Sequence, residues 1–335
     1  MNYYVGIDAA AESFTACVVT PEEVVRSAQP FENTVEGIYA LKAWIEAADL
    51  PRAETLICVE NTGVFTEALC YELHQSEYAV VLLDPHKVWK AFAEGAKTDP
   101  LDSRKIAEYG WRYLDQLTPW SPREAIVEQV KVLLQTREQF VEQKTAAKNS
   151  LTTLRRKYIQ TPAANAALER TLSHLKAEIQ DIEAEIHRLI HSNPTAAQMV
   201  ALLMTAPGVG ELMAFHFFVL TEGFAQTPSY RSLAQYLGIA PNARQSGAWS
   251  GPSRSRGYGP STMRKLLYLA ACSVRTHNKA YRHYFERKVA EGKPRRLVLN
   301  NLANRLLRVL CAMIQHRQPY IPNYVSVQPM LLTKS

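Results

Sequence analysis

The chain has 335 residues, 47% apolar and 21% charged, enough for two or three domains and unlike a disordered or fibrous composition. Its five cysteines (Cys17, Cys58, Cys70, Cys272, Cys311) form no CxxC pair, which excludes a disulfide framework and a cysteine-based zinc site and points to reduced thiols. No basic-then-apolar leader opens the sequence and no apolar run reads as a bilayer span, so a cytoplasmic protein without a membrane partner is expected.

The net charge of +6 is unevenly distributed. Residues 1–230 hold 20 Lys+Arg against 30 Asp+Glu, whereas residues 231–335 hold 18 Lys+Arg against only Glu286 and Glu291. A segment so depleted of acids repels itself unless a polyanion is near. A phosphate backbone, binding with counterion release, is the expected partner.

In chain order, 3–8 (YYVGID) reads as a buried strand and 14–19 (FTACVV) as its hairpin partner, with a turn at Thr20-Pro21-Glu22. Helical spacing follows over 35–47 through Ile38, Leu41 and Ile45. Strands recur at 55–60 (TLICVE) and 78–83 (YAVVLL), giving an α/β sheet with buried central strands. From 124 to 192 the pattern becomes heptad-like. Ile126, Val130, Leu133, Phe140, Ala147, Leu151 and Leu154 fill a 4-3 repeat running to position 158, which Arg137 and Lys144 interrupt. Leu168, Leu172, Leu175, Ile179, Ile182, Ile186 and Leu189 repeat it without exception after a break at Gln160-Thr161-Pro162. Such a pair makes an antiparallel hairpin, packed on the main body or paired with another protomer. Residues 196–325 read as mostly helical, interrupted by a Gly/Ser-rich stretch at 238–260.

Four acids stand out. Asp8 and Glu60 end buried strands, and Asp99 and Asp102 open a helix in KTDPLDSRK, on one face by their i, i+3 spacing. Carboxylates gathered at one sheet edge cannot all ionise unaided. A divalent cation such as Mg²⁺ compensates them and keeps positions open for phosphate oxygens. Lys97 and Arg104 flank the last pair, either to bind the scissile phosphate or to balance charge.

GIDAA at 6–10, CVENTG at 58–63, KTDPLDS at 97–103, APGVG at 206–210 and GIAPNARQSGAW at 238–249 together resemble the DEDD-type insertion-sequence transposases. That group includes the Piv-type DNA invertases and the bridge-RNA-guided recombinases. The resemblance spans nearly the whole chain. It implies an α/β RuvC-like (RNase-H-like) domain over 1–122, a coiled-coil hairpin over 123–193 and a mostly helical transposase domain over 194–335. It carries the acids onto Asp8, Glu60, Asp99 and Asp102 as ligands of Mg²⁺ or Mn²⁺, and a serine nucleophile onto Ser246, with Ser250 in reserve. It also implies DNA as substrate, a guide (bridge) RNA and a homodimer or homotetramer.

In the C-terminal part, Gly208 and Gly210 of APGVG are candidates for close approach to phosphate ahead of a helix N-terminus. Arg244, Arg254, Arg256, Arg264 and Lys265 flank the serine loop as candidate nucleic-acid contacts. His187 and His191, spaced i, i+4, read as a solvated helix face because HExxH is absent. The reading is therefore a transposase or site-specific recombinase that cuts and rejoins DNA through a serine. The alternative is a RuvC-like nuclease that resolves junctions with water. A sugar-kinase or actin-like ATPase would need further glycine-rich phosphate loops, which the sequence lacks, and a plain DNA-binding scaffold would not need four acids.

Overall fold

The computed structural model describes residues 1–92, 98–225, 229–240 and 259–322 in full, and the backbone alone of 241–242, 245–246, 249–250 and 254–255. The chain divides into two compact units, Met1–Pro122 and Arg123–Ser335.

The first unit is built on a five-stranded sheet of order β3-β2-β1-β4-β5. β1 (Tyr3–Ala9) and β2 (Ser13–Val19) form the expected hairpin, while β4 (Thr55–Glu60) and β5 (Ala79–Leu83) continue the sheet in parallel with β1. β3 (Val24–Glu32), antiparallel to β2, was not anticipated. As an edge strand it is mostly exposed, carries Pro30 and pairs through register shifts, so it lacks the apolar run by which a strand is recognised.

Parallel strands need crossovers, and helices supply them. α1 (Val35–Glu46) and α2 (Glu67–Gln75) bury Ile38, Leu41, Ile45, Leu69 and Leu73 against one sheet face, with Val5, Ile7, Ile57 and Val59. α3 (Pro85–Ala91) and α4 (Asp99–Arg112) cover the other, where Val88, Ile106 and Ala107 meet Tyr4, Leu56, Cys58 and Val81. α4 lies unusually close to the sheet: a Cβ at Gly6 would overlap the Ser103 carbonyl and the Ala107 backbone, and one at Gly110 would overlap the Cys58 sulfur. Cys17, Cys58 and Cys70 are buried free thiols, and burial pushes Cys58 and Cys70 up to about 12, well away from reactivity.

The second unit begins with two long helices, α5 (Ala125–Leu154) and α6 (Pro162–Ser192). Arg137–Glu183 (2.6 Å) and Arg155–Glu169 (2.5 Å) bridge them in antiparallel register. Arg137, which broke the heptad pattern, is thus an inter-helix ion-pair residue. Two details differ from the expected repeat. Tyr158 lies past the end of α5 and is fully exposed. At the base of the hairpin the buried positions are Val127, Val130 and Leu134 on α5, and Ile186 and Ile190 on α6, one residue off the predicted seam at several positions. There the helices face not only each other but a common core with α7 (Pro194–Met204), α8 (Glu211–Leu220), α9 (Tyr230–Tyr236), α10 (Ser261–His277), α11 (Lys279–Ala290) and α12 (Arg295–His316). Tyr281 and Phe285, interleaved with the basic residues of α11, belong to this core rather than to the surface.

By length and composition α12 could cross a bilayer, contrary to the expectation from sequence. Half of that stretch is buried in the unit, with Val298, Leu302, Leu306 and Leu310 forming an i, i+4 stripe into the core.

α8 is apolar nearly all round after Glu211 at its start, with His216 the polar residue in its middle. It lines a pocket of about 620 Å³ with Glu138 and Thr262, which hydrogen-bond each other. Burial pushes the His216 imidazole down to about 4, against a smaller opposing pull from Glu138. Its folded value lies below its unfolded one, so the unfolded chain takes up the proton first as pH falls. Stability is retained above pH ~6.5 and lost towards pH ~4. Between pH 7 and pH 5 we expect a loss of about 2 kcal/mol that His216→Gln abolishes. Urea denaturation of both proteins at the two pH values measures it. An equal pH response in the two proteins would remove His216 as the cause.

Candidate functional site

Asp8 and Glu60 stand at the carboxyl ends of neighbouring parallel strands. The ladder pairs Ile7 with Val59, so the two acids follow directly at the ends of neighbouring strands, whose backbones lie roughly 4.8 Å apart in a sheet. Side chains alternate along a strand, which puts Asp8 on the face of Tyr4 and Gly6, and Glu60 on the face of Leu56 and Cys58. That is the face α4 covers. Because Ser103 and Ala107 lie over Gly6 while Gly110 lies over Cys58 and Tyr4, α4 runs back along β1 and its first turn projects toward the strand ends. Asp99 and Asp102 occupy that turn. The four acids therefore come from three elements at one edge of one sheet face.

The loops at this edge are tied down by the residues of the CVENTG motif. The Asn61 backbone N–H extends the ladder to the Leu83 carbonyl (2.9 Å), and the Thr62 hydroxyl donates to the Ala9 carbonyl (3.0 Å), linking the ends of β4 and β1. Gly63 turns the chain with φ +77°, and its N–H is received by Asn61 Oδ1 (3.1 Å). From the opposite side Asn33 Nδ2 donates to the Ala10 and Phe65 carbonyls.

The donor set is all oxygen, which fits a hard divalent cation. The arrangement is open: among the described residues no group of three or more His, Cys, Asp or Glu side chains is gathered closely enough to hold a metal ion. Asp102 is half-buried and accepts from Lys105 Nζ at 3.2 Å. Asp99 is exposed at the helix start. Arg104 pairs with Glu108 at 3.0 Å, a helix-surface contact. Lys97 lies outside the described residues. Sequence reasoning did not weigh Asp84, which follows β5 at the same edge; it caps α3 by accepting the His86 N–H at 2.9 Å. On α3, Trp89 stands 65% exposed with its ring stacked on His86.

In the second unit, Ser246 belongs to a two-residue strand, β7 (Gln245–Ser246), paired with β8 (Trp249–Ser250) so that Ser246 faces Trp249 and Gln245 faces Ser250. This small hairpin is nested in sequence within the pairing of β6 (Pro241–Asn242) with β9 (Arg254–Ser255). Arg244 and Arg256 lie outside the described residues, and only the backbone of Arg254 is described. The neck of the loop is clamped. Arg264 donates to the Leu237 and Gly259 carbonyls at 3.3 and 2.7 Å, and Asn300 and Asn304 both donate to the Ile239 carbonyl at 3.1 Å. Gly259, at φ +90°, sits where any Cβ would overlap the Tyr236 carbonyl. Lys265 is exposed on α10.

APGVG connects α7 to α8. Gly208 has φ +77° and packs on α10, where a Cβ would press on Ala270 and Val274. Gly210 precedes α8 with nothing crowding it. His187 and His191 are exposed and stacked at 3.8 Å, His187 lying 3.7 Å from Glu211.

A DEDD transposase model of the IS110 kind matches residues 5–159, and a second, described as the transposase IS116/IS110/IS902 family, matches residues 200–286. The chain belongs to the IS110-type DEDD transposases. It is 26% identical over 326 residues to a pilin gene-inverting protein of Moraxella lacunata, covering 95% of this chain and 97% of the relative. The corresponding protein of Moraxella bovis is 25% identical over the same length. A 42 kDa protein of insertion element IS900 from Mycobacterium paratuberculosis is 33% identical over 159 residues, covering 47% of this chain and 39% of the relative. IS110-type transposases are DNA-rearranging enzymes, so the chain's substrate class is DNA.

Proposed function

We propose that this IS110-type transposase cuts and rejoins DNA through a phosphoserine intermediate, using Ser246 together with the four acids Asp8, Glu60, Asp99 and Asp102. The observation that carries the reading is the placement of Asp8 and Glu60 at adjacent parallel strand ends, under the first turn of α4. Mixed strand order, central parallel strands and a carboxylate edge support an RNase-H-like, RuvC-type assignment for residues 1–122. Residues 123–193 would serve as the helical hairpin and 194–335 as the basic transposase domain.

In this mechanism the Ser246 oxygen attacks phosphorus, forming a serine–phosphate ester. The bond to one deoxyribose oxygen breaks, and that oxygen leaves with a proton. A second deoxyribose hydroxyl then reverses the step on a new strand, so phosphodiester bond energy is kept and no ATP is needed. The acids would hold Mg²⁺ or Mn²⁺, which supplies charge neutralisation at the phosphate oxygens. Asp102 would exchange its contact with Lys105 for this role. An element-encoded guide RNA and a homodimer or homotetramer complete the reading. Incubating the protein with a suicide DNA substrate, guide RNA and Mg²⁺ tests it: a covalent protein–DNA species is expected, while cutting without any adduct would favour the hydrolytic junction nuclease.

The basic half should also reveal itself by salt. Binding of duplex DNA or structured RNA is expected to weaken steeply, with a log–log slope of about 0.9 per neutralised phosphate on duplex DNA. Affinity that stays flat from low to moderate salt would contradict phosphate recognition by residues 231–335.

A further inference from the structure

Between α9, α10 and α12 lies a groove of about 980 Å³ whose walls carry Arg231, Arg264, Lys265, Arg296, Arg305 and Arg308. Among the described residues that line it there is no Asp or Glu. Its construction is ordered rather than incidental. Arg296, Asn300, Asn304 and Arg308 recur every four residues and so form one stripe along α12, a cation at each end and two amides between. The amides hold the Ile239 carbonyl at the root of the serine loop. Tyr230 fixes two of the cations: its hydroxyl accepts from Arg231 Nε (3.3 Å) and Arg308 (3.1 Å), and the Arg308 guanidinium lies 4.4 Å from its ring centroid.

Two further lining groups suit contact with a base. Tyr268, one turn along α10 from Arg264, is 42% exposed. The side chain of Asn301, beside the stripe, makes no hydrogen bond to another described residue.

The chemistry of this lining narrows the occupant. Cations without carboxylates call for a polyanion. The volume is at the upper end of the range that holds small organic ligands, roughly 300–1,000 Å³, enough for a nucleotide or two. An exposed aromatic ring and an uncommitted amide, set among arginines, suit a base that is unpaired: the ring offers a stacking face and the amide can bond a base edge. We infer that the groove seats a short single-stranded stretch of polynucleotide, with phosphates on Arg296 and Arg308, a base stacked on Tyr268 and the Asn301 amide at a base edge. This rests on the reading of residues 231–335 as nucleic-acid-binding and specifies which strand form is held and where. Because the same stripe anchors Ile239, the strand would lie beside the root of the loop that bears Ser246.

The test is fluorescence anisotropy on the full chain with labelled oligothymidylate, oligouridylate and a mixed-sequence duplex. Tyr268→Ala is expected to weaken single-strand binding roughly 10-fold while duplex binding changes less than about twofold. Tyr268→Phe, which keeps the ring, should bind like the wild type. Arg296→Gln should lower the salt slope for the single strand by about one contact. Loss confined to oligothymidylate would identify a DNA strand as the occupant, and loss confined to oligouridylate an RNA strand; either result supports the groove. Wild-type affinity of Tyr268→Ala for both single strands, or an equal loss on duplex, would overturn it. A wild-type protein that binds no nucleic acid at all would instead overturn the underlying reading of the basic half.

Discussion

Asp8→Asn is expected to reduce DNA strand cleavage by roughly three orders of magnitude while leaving fold and DNA binding nearly intact. The substitution keeps the shape of the side chain and removes its charge at the end of β1, where Asp8 is half-buried beside Glu60. The change falls outside the buried apolar positions of the sheet, whose packing depends on Val5, Ile7, Ile57 and Val59 on one face and on Gly6 beneath Ser103 on the other. Stability should therefore move by no more than about 1 kcal/mol. Nucleic-acid affinity should also persist, because it is assigned to the basic second unit. Thermal unfolding, salt-titrated DNA binding and cleavage of an element-end substrate read the three separately. Chelation by EDTA should mimic the cleavage loss in the wild type. Full cleavage by Asp8→Asn, or by wild type in EDTA, would refute a carboxylate-held metal at this edge.

Most of this edge was legible in the sequence because its signals are local. A buried strand ending in a carboxylate is visible in VGID and ICVE, and KTDPLDS marks a helix start through its proline and acids. The sequence could not supply the direction in which α4 crosses the sheet. That direction depends on Gly6 and Gly110 being small enough to admit the helix, a tertiary fact carried by two residues far apart in the chain. β3 escaped for a different reason: an exposed edge strand has no buried stripe to announce it. Likewise the groove on α12 was hidden because Arg296, Asn300, Asn304 and Arg308 read as ordinary polar positions of an amphipathic helix. Only the packing of α9 and α10 beside them turns that polar face into a walled site. Tyr281 and Phe285, interleaved with cations along α11, are equally compatible in sequence with base stacking and with the core, and packing places both in the core.

Ser246→Ala is expected to abolish the covalent protein–DNA adduct that the wild type forms on a suicide substrate. A serine hydroxyl is a weak nucleophile unless its proton is removed and the phosphate is held in line. Residues 245–251 contain no His, Asp or Glu, so the serine's own loop provides no base. What the fold provides is position. Ser246 closes a hairpin two residues wide, the neck of the loop is tied by Arg264 to Leu237 and Gly259, and its root is tied by Asn300 and Asn304 to Ile239. The proposed mechanism therefore assigns activation of the serine to the acids. Asp99→Asn should accordingly lose the adduct although its serine is intact, and Ser250→Ala, across the hairpin opposite Gln245, should retain it. Denaturing gel shift of labelled DNA reads all four proteins, and mass mapping of the phosphopeptide assigns the residue. An adduct in Ser246→Ala equal to that of wild type would transfer the role to another serine, with Ser250 the first to map. If the substrate is cut and neither wild type nor variants ever carry DNA, water is the nucleophile. The acids of the first unit would then act as a junction nuclease without Ser246.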